Sequence, residues 1–185
     1  TTADLMMHHW TKGSMALQSF ARESLGSRHC FHWALSFPEI IGGGGFDAFI
    51  SNPPYMGGQK ITGAYGEDYR NYLISTLSDG QRGSADLAAY FLLRGTQLLN
   101  QMRCIGLITT SSIVEGNTRD VGILKVINRG ATIIRASRKE DWPGAANVTY
   151  CPICIFTGKY YGSILLNGEN VSSVNSSLEA VEGAF

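Results

Sequence analysis

A chain of 185 residues with 44% hydrophobic and 16% charged content is long and apolar enough to bury a core, which excludes a disordered tail. Its 15 acidic and 15 basic side chains cancel, so it lacks the basic excess that marks a self-sufficient nucleic-acid-binding domain. No apolar run approaches the roughly twenty residues of a membrane span and no signal-peptide pattern opens the chain, so a soluble, cytoplasmic protein is the expectation.

In chain order, residues 5–25 read as a helix, with Met6, Trp10, Met15, Leu17 and Phe20 on an irregular apolar face interrupted by Gly13. Phe31 to Phe37 is a short aromatic segment, a strand or an extended loop, followed by Pro38 and a flexible glycine connection, Gly42 to Gly45. Phe46 to Ser51 is the first well-defined strand. Tyr69 to Leu77 and Leu87 to Leu99 read as helices, Cys104 to Thr110 as a buried strand, Val121 to Ile127 as a helix and Ala131 to Ala136 as a strand. Asn147 to Phe156 and Ser163 to Leu166 complete the strands. Strands separated by helices argue for a mainly parallel sheet with right-handed crossovers. The last strands follow one another without a helix, so an antiparallel pair is expected at the end.

The tetrapeptide Asn52-Pro53-Pro54-Tyr55 directly follows the first strand. An exocyclic amine on an aromatic ring is a poor nucleophile because its lone pair is delocalised, and a site that uses one must hold the nitrogen in an attacking geometry. The Asn52 carboxamide oxygen can accept one N–H and the Pro53 carbonyl the other. Two consecutive prolines stiffen the backbone and remove competing donors, and each pushes the residue before it to extended geometry. Tyr55 offers a flat face for stacking. The plainer alternative is that Pro-Pro stops the strand and Asn52 forms a turn.

The segment from about Cys30 to Tyr160 resembles the second half of the catalytic domain of S-adenosylmethionine-dependent adenine-N6 DNA methyltransferases, especially the large restriction-modification and phage-defence enzymes. The stretches that carry this are FHWALSFPEIIGGGGFDAFISNPPY, GGQKITGAYGEDYRNYL, GSADLAAYFLLRGTQLL, CIGLITTSS and DWPGAANVTYCPICIF. The resemblance implies an α/β, Rossmann-like methyltransferase fold whose seven-stranded sheet is mostly parallel with an antiparallel end. This chain would supply strands four to seven as residues 1–185 of a partial catalytic domain, with 1–29 a helical lead-in and 162–185 a C-terminal extension. The family's glycine-rich cofactor turn and the acid that holds the cofactor ribose have no match before Asn52; Gly42 to Gly45 precedes a strand, whereas a cofactor-cradling turn follows one. The expectation is therefore a fragment or split subunit, with the cofactor-binding half and a DNA-recognition domain supplied in cis or in trans.

The resemblance further implies that Asn52 and Pro53 orient the N6 amine of an adenine flipped out of double-stranded DNA, that Pro54 stiffens this site, and that Tyr55 stacks on the base. It places Asp86 and Phe91, within Ala85 to Phe91, over the adenine of S-adenosylmethionine, and Phe31 in the same pocket. It places Trp142 beside the extruded base. Asp47 caps or positions the strand start. Lys60, leaving the reactive loop, is the foremost candidate for phosphate contact, with Arg70, Arg82, Arg119, Arg135, Arg138 and Lys139 behind it. Methyl transfer to an amine calls for no metal, and His8, His9, His29 and His32 have no ligand spacing. Cys151-Pro152-Ile153-Cys154 lies in a β-rich run with only Cys30 and Cys104 besides, which favours strand thiols over zinc or redox chemistry. The alternatives are a protein-glutamine or RNA-guanine methyltransferase sharing the Asn-Pro-Pro-Tyr chemistry, a non-catalytic interaction module, and an α/β hydrolase, for which no G-x-S-x-G motif is present.

Overall fold

A computed structural model describes residues 31–143, 145 and 147–182, together with Met15 and Ser19. It divides into two units, Thr1–Pro38 and Glu39–Phe185. In the first, Met15 and Ser19 are helical, while the rest of the expected 5–25 helix, with His8, His9, His29 and Cys30, lies outside the described residues. The aromatic segment is helical where a strand or extended loop was expected: α1 spans Trp33–Ser36. The Leu35 and Ser36 N–H groups donate to the His32 carbonyl, and Phe31 packs edge-on against Trp33 at 5.0 Å and lies 6.1 Å from Phe37. Local hydrogen bonds and ring contacts i, i+2 and i+6 apart are met by a turn, whereas a strand would send neighbouring rings to opposite faces.

The glycine run is a tight turn, not a flexible connection. It closes α2, Pro38–Gly42, and leads into β1, Phe46–Ser51. Gly45 has φ +117° and passes so near the chain that a Cβ would stand 2.6 Å from the Leu98 carbonyl oxygen, so no other residue fits. Past the Asn-Pro-Pro-Tyr loop come α3, Gly58–Tyr65, and α4, Glu67–Tyr72, which runs on through a π-type turn, Leu73–Leu77. Then follow α5, Leu87–Leu98, and β2, Leu99–Thr109. A further helix, α6, winds through Gly116–Arg119, Asp120–Leu124 and Lys125–Asn128. The remaining strands are β3, Thr132–Ala136, β4, Glu140–Asp141, β5, Thr149–Phe156, β6, Ile164–Leu166, and β7, Glu169–Val171.

The strands form a seven-stranded sheet in the order β1-β2-β5-β3-β6-β7, with β4 beside β5. The pairings set β1, β2, β3, β4 and β6 in one direction and β5 and β7 in the other. The antiparallel strand β5 threads between β2 and β3, and β6–β7 close the far edge as an antiparallel hairpin. The sheet is thus mixed, mostly parallel in strand direction with an antiparallel strand inserted, in keeping with the expected α/β, Rossmann-like class.

Strand alternation sorts the side chains between two faces. Ile105, Leu107 and Thr109 of β2 sit opposite Ile155, Ile153 and Cys151 of β5; all are buried, and all but the polar Thr109 share one apolar core with residues of α5 and α6. Gly95 of α5 approaches so closely that a Cβ would meet Ile105 Cδ1 at 2.5 Å, and Gly122 of α6 faces Ala89 of α5. The opposite face carries Ala48, Ile50, Gly106, Ile108, Pro152 and Cys154 around an open groove of about 470 Å³, with Ile50 89% exposed.

Candidate active site at the carboxyl end of the first strand

β1 pairs in parallel with β2, Ser51 opposite Leu107, so the loop that follows Ser51 emerges at the carboxyl end of adjacent parallel strands. This is where open α/β sheets place their ligands. Residues 52–57 are irregular, with Asn52, Pro54 and Tyr55 exposed and Pro53 fully buried. Burial of Pro53 costs no unpaired donor, because proline has no N–H.

Asn52 and Tyr55 are engaged with one another. The Tyr55 hydroxyl donates to Asn52 Oδ1 at 2.6 Å and also reaches the Ile108 carbonyl near the end of β2. A single hydroxyl hydrogen faces two acceptors, so the oxygen that would receive an amine N–H already holds an exchangeable donor. The phenol stays protonated at neutral pH: burial pushes its pKa up, and the charges of Asp86 and Cys151 push it further. Asp47, at the start of β1, pairs with Arg103 of β2 at 2.7 Å on the surface and so pins the two strands together.

The loop ends against α5. Asp86 is the N-cap of that helix, and its Oδ1 accepts the Ala88 N–H at 2.9 Å and the Met56 N–H at 3.3 Å. Beside the loop, Pro54, Tyr69, Tyr72, Leu87, Tyr90, Phe91 and Arg94 line a mainly apolar cleft of about 170 Å³. The structure thus brings Pro54 and Phe91 to one cavity, whereas Asp86 does not line it and serves instead as an acceptor for the Met56 and Ala88 N–H groups. Tyr69, Tyr72, Tyr90 and Arg94 are lining residues that sequence reasoning missed. Leu87, Tyr90, Phe91 and Arg94 recur at i, i+3, i+4 and i+7, and that spacing already marks one face of a helix.

Trp142 follows β4, which pairs with the amino end of β5, and so stands at the same end of the sheet as Asn52. It is 41% exposed, its backbone N–H donates to the Val148 carbonyl, and its ring meets Tyr150 edge-on at 5.5 Å. Phe31 belongs to the first unit and is 60% exposed. Lys60 is exposed on the first turn of α3, as are Arg82, Arg135 and Lys139 elsewhere. Other cations are tied within the chain: Arg119 to Asp120 at 2.9 Å, Arg70 to the Gly83 carbonyl at 3.3 Å and Arg138 to Glu179 at 3.6 Å. Cys151 and Cys154 lie three apart on β5, so their thiols point to opposite faces and cannot share a ligand. Among the described residues no group of three His, Cys, Asp or Glu side chains is placed to hold a metal. No helix among them is long and apolar enough to cross a membrane.

A family model described as Eco57I restriction-modification methylase matches residues 4–129, more than half the chain. The chain belongs to the Eco57I restriction-modification methylase family. Among solved structures, this family member is similar to the Type IIL restriction-modification enzyme MmeI in complex with DNA. The TM-score is 0.57 at 21% identity, over 74% of this chain and 20% of the other. That likeness speaks for the fold, and the methylase chain spans about a fifth of the MmeI chain's length. A weaker likeness, TM-score 0.49 at 13% identity over 66% of this chain and 36% of the other, is to a structure described as a class I S-adenosylmethionine-dependent methyltransferase from Listeria monocytogenes. No curated protein matches the chain.

Proposed function

We propose that this chain is part of the catalytic domain of an S-adenosylmethionine-dependent enzyme that methylates the N6 amine of adenine in double-stranded DNA. The observation that carries the reading is the position of Asn52-Pro53-Pro54-Tyr55 at the carboxyl end of β1, with the end of β2 on one side and the aromatic cleft on the other. Membership of a restriction-modification methylase family supports methyl transfer, and the hydrogen-bonding capacity of Asn52 supports a planar amine as its acceptor.

Asn52 Oδ1 takes one amine N–H and the Pro53 carbonyl the other, which fixes the nitrogen for attack; proximity and orientation carry most of the acceleration. To reach Asn52 the amine replaces the Tyr55 hydroxyl, one donor for another. The released Tyr55 ring then stacks on the extruded base, with Trp142 flanking it from the β4–β5 connection. Lys60 contacts a phosphate near the loop. The cleft suits a flat heterocycle, since rings of Tyr69, Tyr72, Tyr90 and Phe91 line it beside Pro54. S-adenosylmethionine supplies the methyl group when bound, and Phe91 and Pro54 would cover its adenine. In this reading the rest of the cofactor site and the DNA-recognition domain come from a further segment, in cis or in trans, and the exposed Ile50 on the open sheet face supports a covering segment there.

The test is methyl transfer by the complete enzyme from labelled S-adenosylmethionine to unmodified DNA, followed by digestion to nucleosides and mass spectrometry. The expected product is N6-methyladenine. Label appearing instead in protein glutamine or RNA guanine would overturn the substrate assignment, and no transfer to any acceptor would overturn the enzyme reading.

A further inference from the structure

We infer that Asp86 is a positioning residue for the reactive loop, an inference that rests on the methyl-transfer reading above. A helix N-cap needs only the bond to Ala88. The same carboxylate oxygen also accepts the Met56 N–H from thirty residues earlier in the chain, and Met56 is the residue directly after Tyr55. The Met56 carbonyl in turn accepts the Leu87 N–H at 2.9 Å, so both backbone groups of Met56 are held by the first turn of α5. Two residues further on, Gly58 lies so close to the segment before Asp86 that a Cβ would stand 2.3 Å from the Ser84 carbonyl carbon. The Asp86 N–H donates to Thr118 Oγ1 at 3.0 Å, which ties the junction to α6.

The carboxylate is buried, at 8% residue exposure, and accepts from the backbone N–H groups of Met56 and Ala88. Asp86 therefore acts on the exit of the loop. With Met56 clamped, exchange of the Tyr55 hydroxyl for a substrate amine is a side-chain movement, and Asn52 keeps its aim while it happens. Losing the clamp would let the loop backbone shift, and a displacement of about 1 Å can cost on the order of a hundredfold in rate.

The experiment compares Asp86→Ala and Asp86→Asn in the complete enzyme with the wild type. It reads the single-turnover methyl-transfer rate, the dissociation constants for S-adenosylmethionine and DNA, and hydrogen exchange at the Met56 amide. Asp86→Ala is expected to slow transfer by roughly ten- to a hundredfold, to leave both dissociation constants nearly unchanged and to speed exchange at Met56. Asp86→Asn retains an acceptor oxygen and should recover most of the rate and the protection. An unchanged rate in folded Asp86→Ala would overturn the inference. So would a loss of S-adenosylmethionine affinity that matches the loss of rate, because the carboxylate would then be a cofactor contact. Should the alanine variant fail to fold, the asparagine variant decides: retained rate and Met56 protection support positioning, and a folded but slow Asp86→Asn overturns it. A wild-type enzyme that transfers no methyl group overturns the underlying reading as well, and that result needs no variant.

Discussion

The two faces of the sheet differ in how the described residues cover them. One is sealed by α5 and α6 over Ile105, Leu107, Ile133, Ile153 and Ile155, each 5% exposed or less, while the other leaves Ile50 at 89%. The sealed face is where this stretch of chain stabilises itself; burying such side chains contributes about 1.5–3 kcal/mol apiece. The open face holds apolar side chains of the same kinds with no comparable cover among the described residues. Burial and exposure thus lie back to back, and the Asn52-Pro53-Pro54-Tyr55 loop sits at the end of the strands between them.

Substitutions on either side test that contrast. Ile105→Ala should cost about 2–5 kcal/mol in urea denaturation of the chain, since the cavity would lie beneath α5. Gly95→Ala should cost about 1–3 kcal/mol: its Cβ meets the mobile tip of Ile105, which must move aside in a packed core. Ile50→Ala should fall within about 0.5 kcal/mol in the isolated chain, and a cost comparable to Ile105→Ala there would break the comparison.

Thiol chemistry reads the same contrast more gently. Cys154, facing the groove, has its pKa raised to about 11, chiefly by burial and then by Cys104. Alkylation of Cys154 should therefore rise about tenfold per pH unit from pH 8 towards 10. Cys151, at 0% exposure on the sealed face, should stay protected until the chain unfolds. Labelling of Cys151 first would invert the two faces.

The smallest effect belongs to Asp79, at the rim of the helical layer. Hydrogen bonds from Arg129 and then Lys125 hold its carboxyl below the ordinary value of 3.8. A carboxylate whose pKa is lowered by folding adds stability above its unfolded pKa and loses it as pH falls through the folded one. Asp79→Asn should lower stability slightly at neutral pH, and the difference from wild type should close in acid. A gap that widened in acid would contradict the pairing seen here.

The main elements were legible because they carry periodicity. Phe46 to Ser51 is the observed β1, and Leu87 to Leu99 anticipates α5 to within a residue. The helix Gly58–Tyr65 was missed because two glycines open it and its apolar positions are few, and β4 and β7 are too short to show a pattern. The insertion of β5 between β2 and β3 is a long-range pairing that local alternation does not encode. At the site, the position of Asn52-Pro53-Pro54-Tyr55 directly after a strand was legible. The Tyr55 bonds to Asn52 and Ile108 were not, because the contact with Ile108 spans 53 residues and depends on β1 and β2 lying side by side. The tie from Asp86 to Met56 was hidden for the same reason.

The most direct test of the site is Asn52→Ala in the complete enzyme, with methyl transfer to DNA measured beside S-adenosylmethionine affinity. Transfer should be abolished while cofactor affinity stays close to wild type, because the proposed reading has Asn52 holding the acceptor amine and not the methyl donor. Unchanged turnover in that variant would contradict the assignment of Asn52-Pro53-Pro54-Tyr55 as the amine-holding site.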